Sequence, residues 1–390
     1  MVQRRWRVVG GLSSVVVVSS IVWPSSSGGL SQPVHADGSA IYVPLVVRAF
    51  AGPFPAAPTA VPATRTPTTT PTPTDTPTPE ATATPTLSPT PSDTPTPEPT
   101  PTPKLPPWHA RVNHHRALAR LNSVADNPVW GRGGELHARY MVKTGQAGHT
   151  ENRSSPWFTQ EGLEAAQNGN VFVSSNIDTP SEAAVDAWMT GPFHQVAVLD
   201  PKLQVSAFGE YRENIGSWHY GATLDVLRGR DGVSPGTRFP VRYPEDGTVM
   251  PILAYDGGEF PDPLTSCTGY ATPTGPPLVL MLGAGDVKPS VTKTSFKDAG
   301  GTELTHCWFD ETTYKNPNKG LQDLGRGGLG MRSAVILMPK APLTAGARYT
   351  VSITANGRAN TWSFTAGGGR RLDQREADHR LGGAPATAGR

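Results

Sequence analysis

Apolar positions recur at helical spacing in three stretches near the middle of the chain. Over residues 108–122, Val112, Leu118, Ala119 and Leu121 share one side, which predicts an amphipathic helix. A second helix is expected over 134–144, with Leu136, Tyr140 and Met141 on one face and Gly145 as its C-terminal stop. A third start is marked by Thr179-Pro180-Ser181-Glu182. This reads as a capping box: an N-cap threonine, proline at the first helical position and a glutamate three residues on. Ala184, Val185, Trp188 and Met189 would form its apolar face, and Gly191-Pro192 would end it. After His194 the pattern turns β-rich, predicting strands over 195–199, 204–211 and 217–226, with turns at Asp200-Pro201 and 214–216. Helices followed by antiparallel strands point to an α+β layer structure over 108–227.

Beyond Val233 the helical pattern disappears. Short strand-like runs at 278–282, 334–338, 349–355 and 361–365 are separated by turn signals, among them the hairpin marker Asn356-Gly357. This spacing predicts an all-β, immunoglobulin-like sandwich over 233–366. The residues from 367 to 390 are Gly- and Arg-rich and are expected to be a disordered tail.

The first hundred residues follow other rules. Arg4, Arg5 and Arg7 precede an apolar run from Val8 to Trp23, and Val34-His35-Ala36 offers a small-residue cleavage site, so residues 1–36 read as a signal peptide. A single membrane anchor is the alternative, although the run is broken by glycines and serines and is shorter than the ~20 residues a spanning helix needs. Residues 37–51 include a short β-prone segment. Residues 52–107 form a Pro/Thr-rich linker with nothing to bury, an extended spacer whose Thr-Pro core could reach on the order of 100 Å. Its threonines are candidate O-glycan acceptors.

Composition narrows the classes further. The 41 prolines and 42 glycines reflect linkers and turns, and a formal net charge of +2 gives no field for recruiting nucleic acid. Cys267 and Cys307 are the two cysteines of the chain and fall in the same β region. In an exported protein they are expected to form a disulfide, with a metal pair involving His306 as the lesser alternative.

Candidate chemistry gathers between two histidines, His149 in Gly148-His149-Thr150 and His194 in Gly191-Pro192-Phe193-His194, with Glu161 and Glu164 between them. Imidazole and carboxylate bind divalent metals or move protons near neutral pH. Each histidine taken singly also fits a structural, hydrogen-bonding role. His137 could belong to core or surface, His114 and His115 read as solvated helix residues, and Glu151 as a loop carboxylate able to act as a substitute ligand. Glu210 and Glu213 read as strand-end charges. Ser154, Ser155 and Ser174 lie nearby, but no Gly-x-Ser-x-Gly turn accompanies them.

Several of these segments together resemble the CAP superfamily, shared by cysteine-rich secretory proteins, insect venom antigen 5 and plant pathogenesis-related proteins. The resemblance rests on Asn113-x-x-Arg116, Leu121, Leu136-His137-Ala138-Arg139-Tyr140-Met141, His149, the 161–170 stretch, Trp188-Met189-x-Gly191-Pro192-Phe193-His194 and 205–209, about a quarter of the chain. The animal- and plant-type cysteine-rich signature is missing, as in a bacterial-type member. The resemblance implies a three-layer α-β-α sandwich with a cleft of two histidines and two acids able to hold zinc or another divalent metal. Carried over, these are His149, His194 and Glu161 or Glu164. The second acid is open, since Glu182 and Asp186 are the acids near Trp188 and Glu182 already serves the capping box.

Three readings follow. The first is an extracellular or surface-tethered protein whose His/Glu cleft binds a ligand (a lipid, a peptide or a cell-wall component), with or without a metal. The second is a metal-dependent extracellular hydrolase using the same cleft. The third is a structural surface protein with a vestigial cleft. None involves nucleic acid, and none keeps a membrane span once the signal is cleaved.

Overall fold

A computed structural model describes residues 105–368. The expected signal peptide, the β-prone segment, the linker up to residue 104 and the tail from 369 lie outside the described residues.

The first half contains five helices and a sheet. Helix α1 spans Pro107–Ala117 and stops short of residue 122, because the chain turns at Arg120, whose φ is 53°. Strand β1 is Ala125–Asp126, and helix α2 is Pro128–Thr144. The latter begins earlier than its apolar pattern suggests because Asn127 Oδ1 accepts the amides of Val129 and Trp130 and Pro128 takes the first helical position. It ends where expected, at Gly145 with φ 67°. Helix α3 is Gln160–Asn168, strand β2 Gly169–Ser174, helix α4 Ser181–Thr190 and helix α5 Pro192–Val198. Strands β3 (Val205–Arg212) and β4 (Tyr220–Asp225) complete a sheet ordered β1-β3-β4-β2.

Two expectations are corrected here. The capping box at α4 does not form: Pro180 occupies the N-cap without a side-chain bond, and Thr179 Oγ1 turns back to Asn176 O at 2.7 Å. Residues 195–199, expected as a strand, belong mostly to α5. All seven α5 residues are buried, and a short, continuously apolar run carries no period that separates strand from helix.

Helix α2 lies flush on the sheet because glycine faces glycine. A Cβ on Gly209 would stand 2.0 Å from the Glu135 amide, and one on Gly134 would stand 2.9 Å from the Gly209 amide. No larger residue permits that approach.

The second half is mostly sheet. Strands β5 (Val241–Tyr243), β7 (Leu278–Met281), β10 (Ala334–Pro339) and β9 (His306–Asp310) form one sheet in that spatial order. Strands β6 (Val249–Met250), β12 (Arg358–Ala366), β11 (Arg348–Ala355) and β8 (Val291–Asp298) form the other. The β11–β12 hairpin turns on Asn356 and Gly357, both with positive φ. A helix that the sequence pattern does not predict, α6 (Lys319–Gly330), lies between β9 and β10; its five glycines obscure the helical signal, and Asn318 caps it through Oδ1. The Cys267–Cys307 disulfide ties the segment before β7 to β9, closing a separation of 40 residues and stabilising by roughly 3–4 kcal/mol. Among the described residues, no helix is long and apolar enough to cross a membrane.

One apolar core runs through both halves, taking in Trp188, Phe193 and Val196 together with Leu278, Phe309 and Tyr314. Phe193 meets Tyr314 edge-on at 5.1 Å. Polar anchors cross the same boundary. Tyr243 Oη lies 2.8 Å from His115 Nδ1, and His115 Nε2 donates to Asp186 Oδ1 at 2.8 Å. Asp200, fully buried, holds Arg230 Nε at 2.8 Å and has Arg332 Nε at 3.0 Å as an ion-pair contact without hydrogen-bond alignment. Arg116 donates to the carbonyls of Asn122, Val198, Asp200 and Leu203, pinning the turn after α5.

Two outcomes test this coupling. Arg332→Ala empties a fully buried side-chain volume beside Asp200, which keeps Arg230, and should cost about 2–5 kcal/mol while keeping a single unfolding transition in urea. Separate transitions for the two halves would contradict it. Burial lowers the His115 pKa from its ordinary 6.5, against the Asp186 hydrogen bond that raises it. The unfolded chain therefore takes up a proton at 6.5 that the folded chain takes up only at lower pH. The associated stability is full above 6.5 and declines as pH falls below it. His115→Gln should flatten the difference between urea midpoints measured at about pH 7.5 and about pH 5.5.

Candidate functional site

His149 follows α2 on a tight loop entered through Gly148 and is 1% exposed. Its Nδ1 donates to the Ala166 carbonyl of α3 at 2.7 Å. His194 lies in the first turn of α5 and is wholly buried. Its carbonyl accepts from Asn170 Nδ2 at 3.4 Å, so both histidines abut the α3–β2 junction, one through its ring and the other through its backbone.

The two acids between them go elsewhere. Glu161 and Glu164 lie on the outer face of α3 and are exposed. Glu161 pairs with Arg132 at 3.2 Å, with both side chains more than 60% exposed, and Glu164 accepts from Gln160 one turn earlier. Helical geometry explains this. The residues of α3 that face inward are Gly162, Leu163, Ala165 and Ala166, which leaves 161 and 164 on the opposite side. Glu182, the other acid near Trp188, accepts from its neighbour Ser181, while Asp186 is held by Arg111 and His115.

Different carboxylates meet the buried imidazoles. Glu151 is buried beside His137, with Oε1 2.9 Å from Nδ1, and its Oε2 accepts the Thr159 amide at 3.0 Å just before α3. His137 Nε2 also faces an acceptor, the Gly148 carbonyl at 2.7 Å. Both ring nitrogens therefore sit against oxygens, one on a side chain and one on the backbone. This pair holds the loop leading to His149 against α2 and α3.

The second pair crosses between the halves. Glu259, from the irregular segment between β6 and β7, accepts three donors at one oxygen. Its Oε1 takes the backbone amides of Phe193 at 2.8 Å and His194 at 2.9 Å, and the His194 ring through Nδ1 at 3.0 Å. Both side chains are fully buried. Burial pushes the Glu259 carboxyl well above its ordinary range, while the two backbone amides pull it down. Gly191 makes the contact possible: a Cβ there would lie 2.6 Å from the Glu259 carboxyl carbon.

These residues do not fit the zinc site that the resemblance implies. An open site needs about three convergent protein ligands. Here the α3 acids point outward, and the carboxylate at His194 is committed to helix amides. Among the described residues, no group of three or more His, Cys, Asp or Glu side chains is arranged to hold a metal ion. Glu259 escaped sequence reasoning because Gly257-Gly258-Glu259-Phe260-Pro261 has neither periodicity nor a motif.

A different kind of surface lies at the outer end of α2. Trp157, half-buried on the core, carries Arg139 at 5.5 Å and Lys143 at 4.8 Å from its ring centre, two cations one helical turn apart. Arg153 covers the neighbouring Phe158 at 5.2 Å. Lys143 is also bound to Glu213, which Tyr211 engages through its hydroxyl.

Comparison with protein-family models matches residues 109–216 to CAP, the cysteine-rich secretory protein family. No curated protein matches the chain.

The contrast between the acids gives a direct test. Glu161→Gln and Glu164→Gln should each leave unfolding free energy within about 0.5 kcal/mol. Glu151→Ala, which leaves the buried His137 Nδ1 and the Thr159 amide without their partner, should cost about 1–3 kcal/mol for each stranded group. Equal effects in a denaturation series would contradict the placement.

Proposed function

With residues 109–216 a CAP domain, we propose that this chain is an exported surface protein whose CAP region binds a cell-wall component as a non-catalytic module. Export is supported by the basic, then apolar, start of the sequence, and display away from the cell by the Thr-Pro linker.

One observation carries the binding reading: the half-exposed indole of Trp157 with Arg139 and Lys143 across it. An aromatic platform offers apolar area at little conformational cost, and neighbouring guanidinium and ammonium groups favour an anionic partner. A ring-bearing, acidic wall polysaccharide meets both demands, its sugar faces stacking on Trp157 and its carboxylates meeting Arg139 and Arg153. The buried histidines fit a supporting role in this reading. His149 and His137 fix the loop from which Trp157 projects, through Ala166, Gly148 and Glu151.

Co-sedimentation of the purified chain with an acidic wall polysaccharide tests this. Trp157→Ala and Arg139→Ala should each weaken binding by about tenfold or more in protein that still folds, with melting unchanged for Arg139→Ala and affinity falling as salt rises. Binding untouched by both substitutions would overturn the assignment. Stoichiometric zinc, lost on His149→Ala, would favour the hydrolase reading instead.

A further inference from the structure

The segment from Tyr255 to Cys267 is a strap at the surface whose buried residues include a carboxylate, Glu259. It lies between β6 and β7 and makes little regular structure: one bridge between Tyr255 and Thr274, and a single 3-10 turn, Pro263–Ser266. Asp256, Asp262 and Thr265 along it are exposed, while Tyr255, Glu259, Pro261, Pro263 and Cys267 are buried. It is anchored on the sheet half, by the Cys267–Cys307 disulfide, by Tyr314 Oη donating to Asp262 O at 2.9 Å and by Thr265 Oγ1 donating to Lys315 O at 2.6 Å. Its reach toward the CAP region includes Glu259, whose carboxyl sits over Gly191 and takes the amides and ring at the head of α5.

We propose that this strap is a built-in cover for His194, keyed in place by Glu259, so that the sheet half decides whether the CAP histidine meets solvent. Segments with few paired backbone groups open at lower free energies than the strands and helices around them. Three of the strap's hydrogen bonds to α5 meet at one carboxyl oxygen. Removing that oxygen takes away three hydrogen bonds at once while leaving the disulfide anchor and both sheets in place. The inference does not depend on the polysaccharide reading, since Trp157 and the strap engage different elements.

Carbethoxylation of histidines by diethyl pyrocarbonate, located by mass spectrometry on the full chain, reads the cover directly. In the unaltered protein the exposed His114 should react, and His194 should stay unmodified along with the buried His137. In Glu259→Ala, modification of His194 should rise by about tenfold or more while His137 stays closed. If Glu259→Ala unfolds, seen as His137 reacting too, Gly191→Ala takes its place, because its added methyl displaces the carboxyl and leaves Glu259 present. His194 reacting like His114 in the unaltered protein overturns the proposal. So does His194 remaining closed in whichever of the two variants folds.

Discussion

A seven-residue helix with no exposed face is the constraint on which the rest of this structure depends. Helix α5 is apolar enough to be buried, yet it carries His194 and Gln195 inward and leaves the amides of its first turn without helical partners. Burial of such groups is costly unless each finds a partner. The CAP segment does not supply them all. Glu259 and the Pro277 carbonyl, both from the sheet half, receive the His194 ring and the Gln195 amide. The two halves therefore meet because α5 needs both of them.

The same logic runs through the other anchors. Asp200, one residue beyond the end of the α5 turn, is surrounded by arginines from three parts of the chain, and His115 links Asp186 to Tyr243. Each is a polar group on the CAP side whose burial is completed by the other side. A β-sandwich acting as a detached spacer would leave these groups facing water. Here the sheet half completes the interior of the CAP region.

His149 and His194 carry the family resemblance, and both rings are held from inside the fold, by the Ala166 carbonyl and the Glu259 carboxyl. At the outer end of α2, Trp157 rests half-buried on the core with Arg139 and Lys143 over its ring.

Much of the layout was legible in the residues themselves. The C-terminal glycine of α2, strands β3 and β4, the Asn356-Gly357 hairpin and the cysteine pair follow from local rules, because period, turn chemistry and a two-cysteine count need no knowledge of distant contacts. The resemblance likewise rests on motifs that the family match covers. Tertiary structure alone decided the rest. It made α5 a helix, formed α6 despite its glycines, left the α4 box unformed, turned Glu161 and Glu164 to solvent and brought Glu259 to His194. The physical reason is that a residue's face, charge partner and burial are set by whichever distant groups satisfy it most fully, and a separation of 65 positions between His194 and Glu259 leaves no trace of that choice in either local sequence.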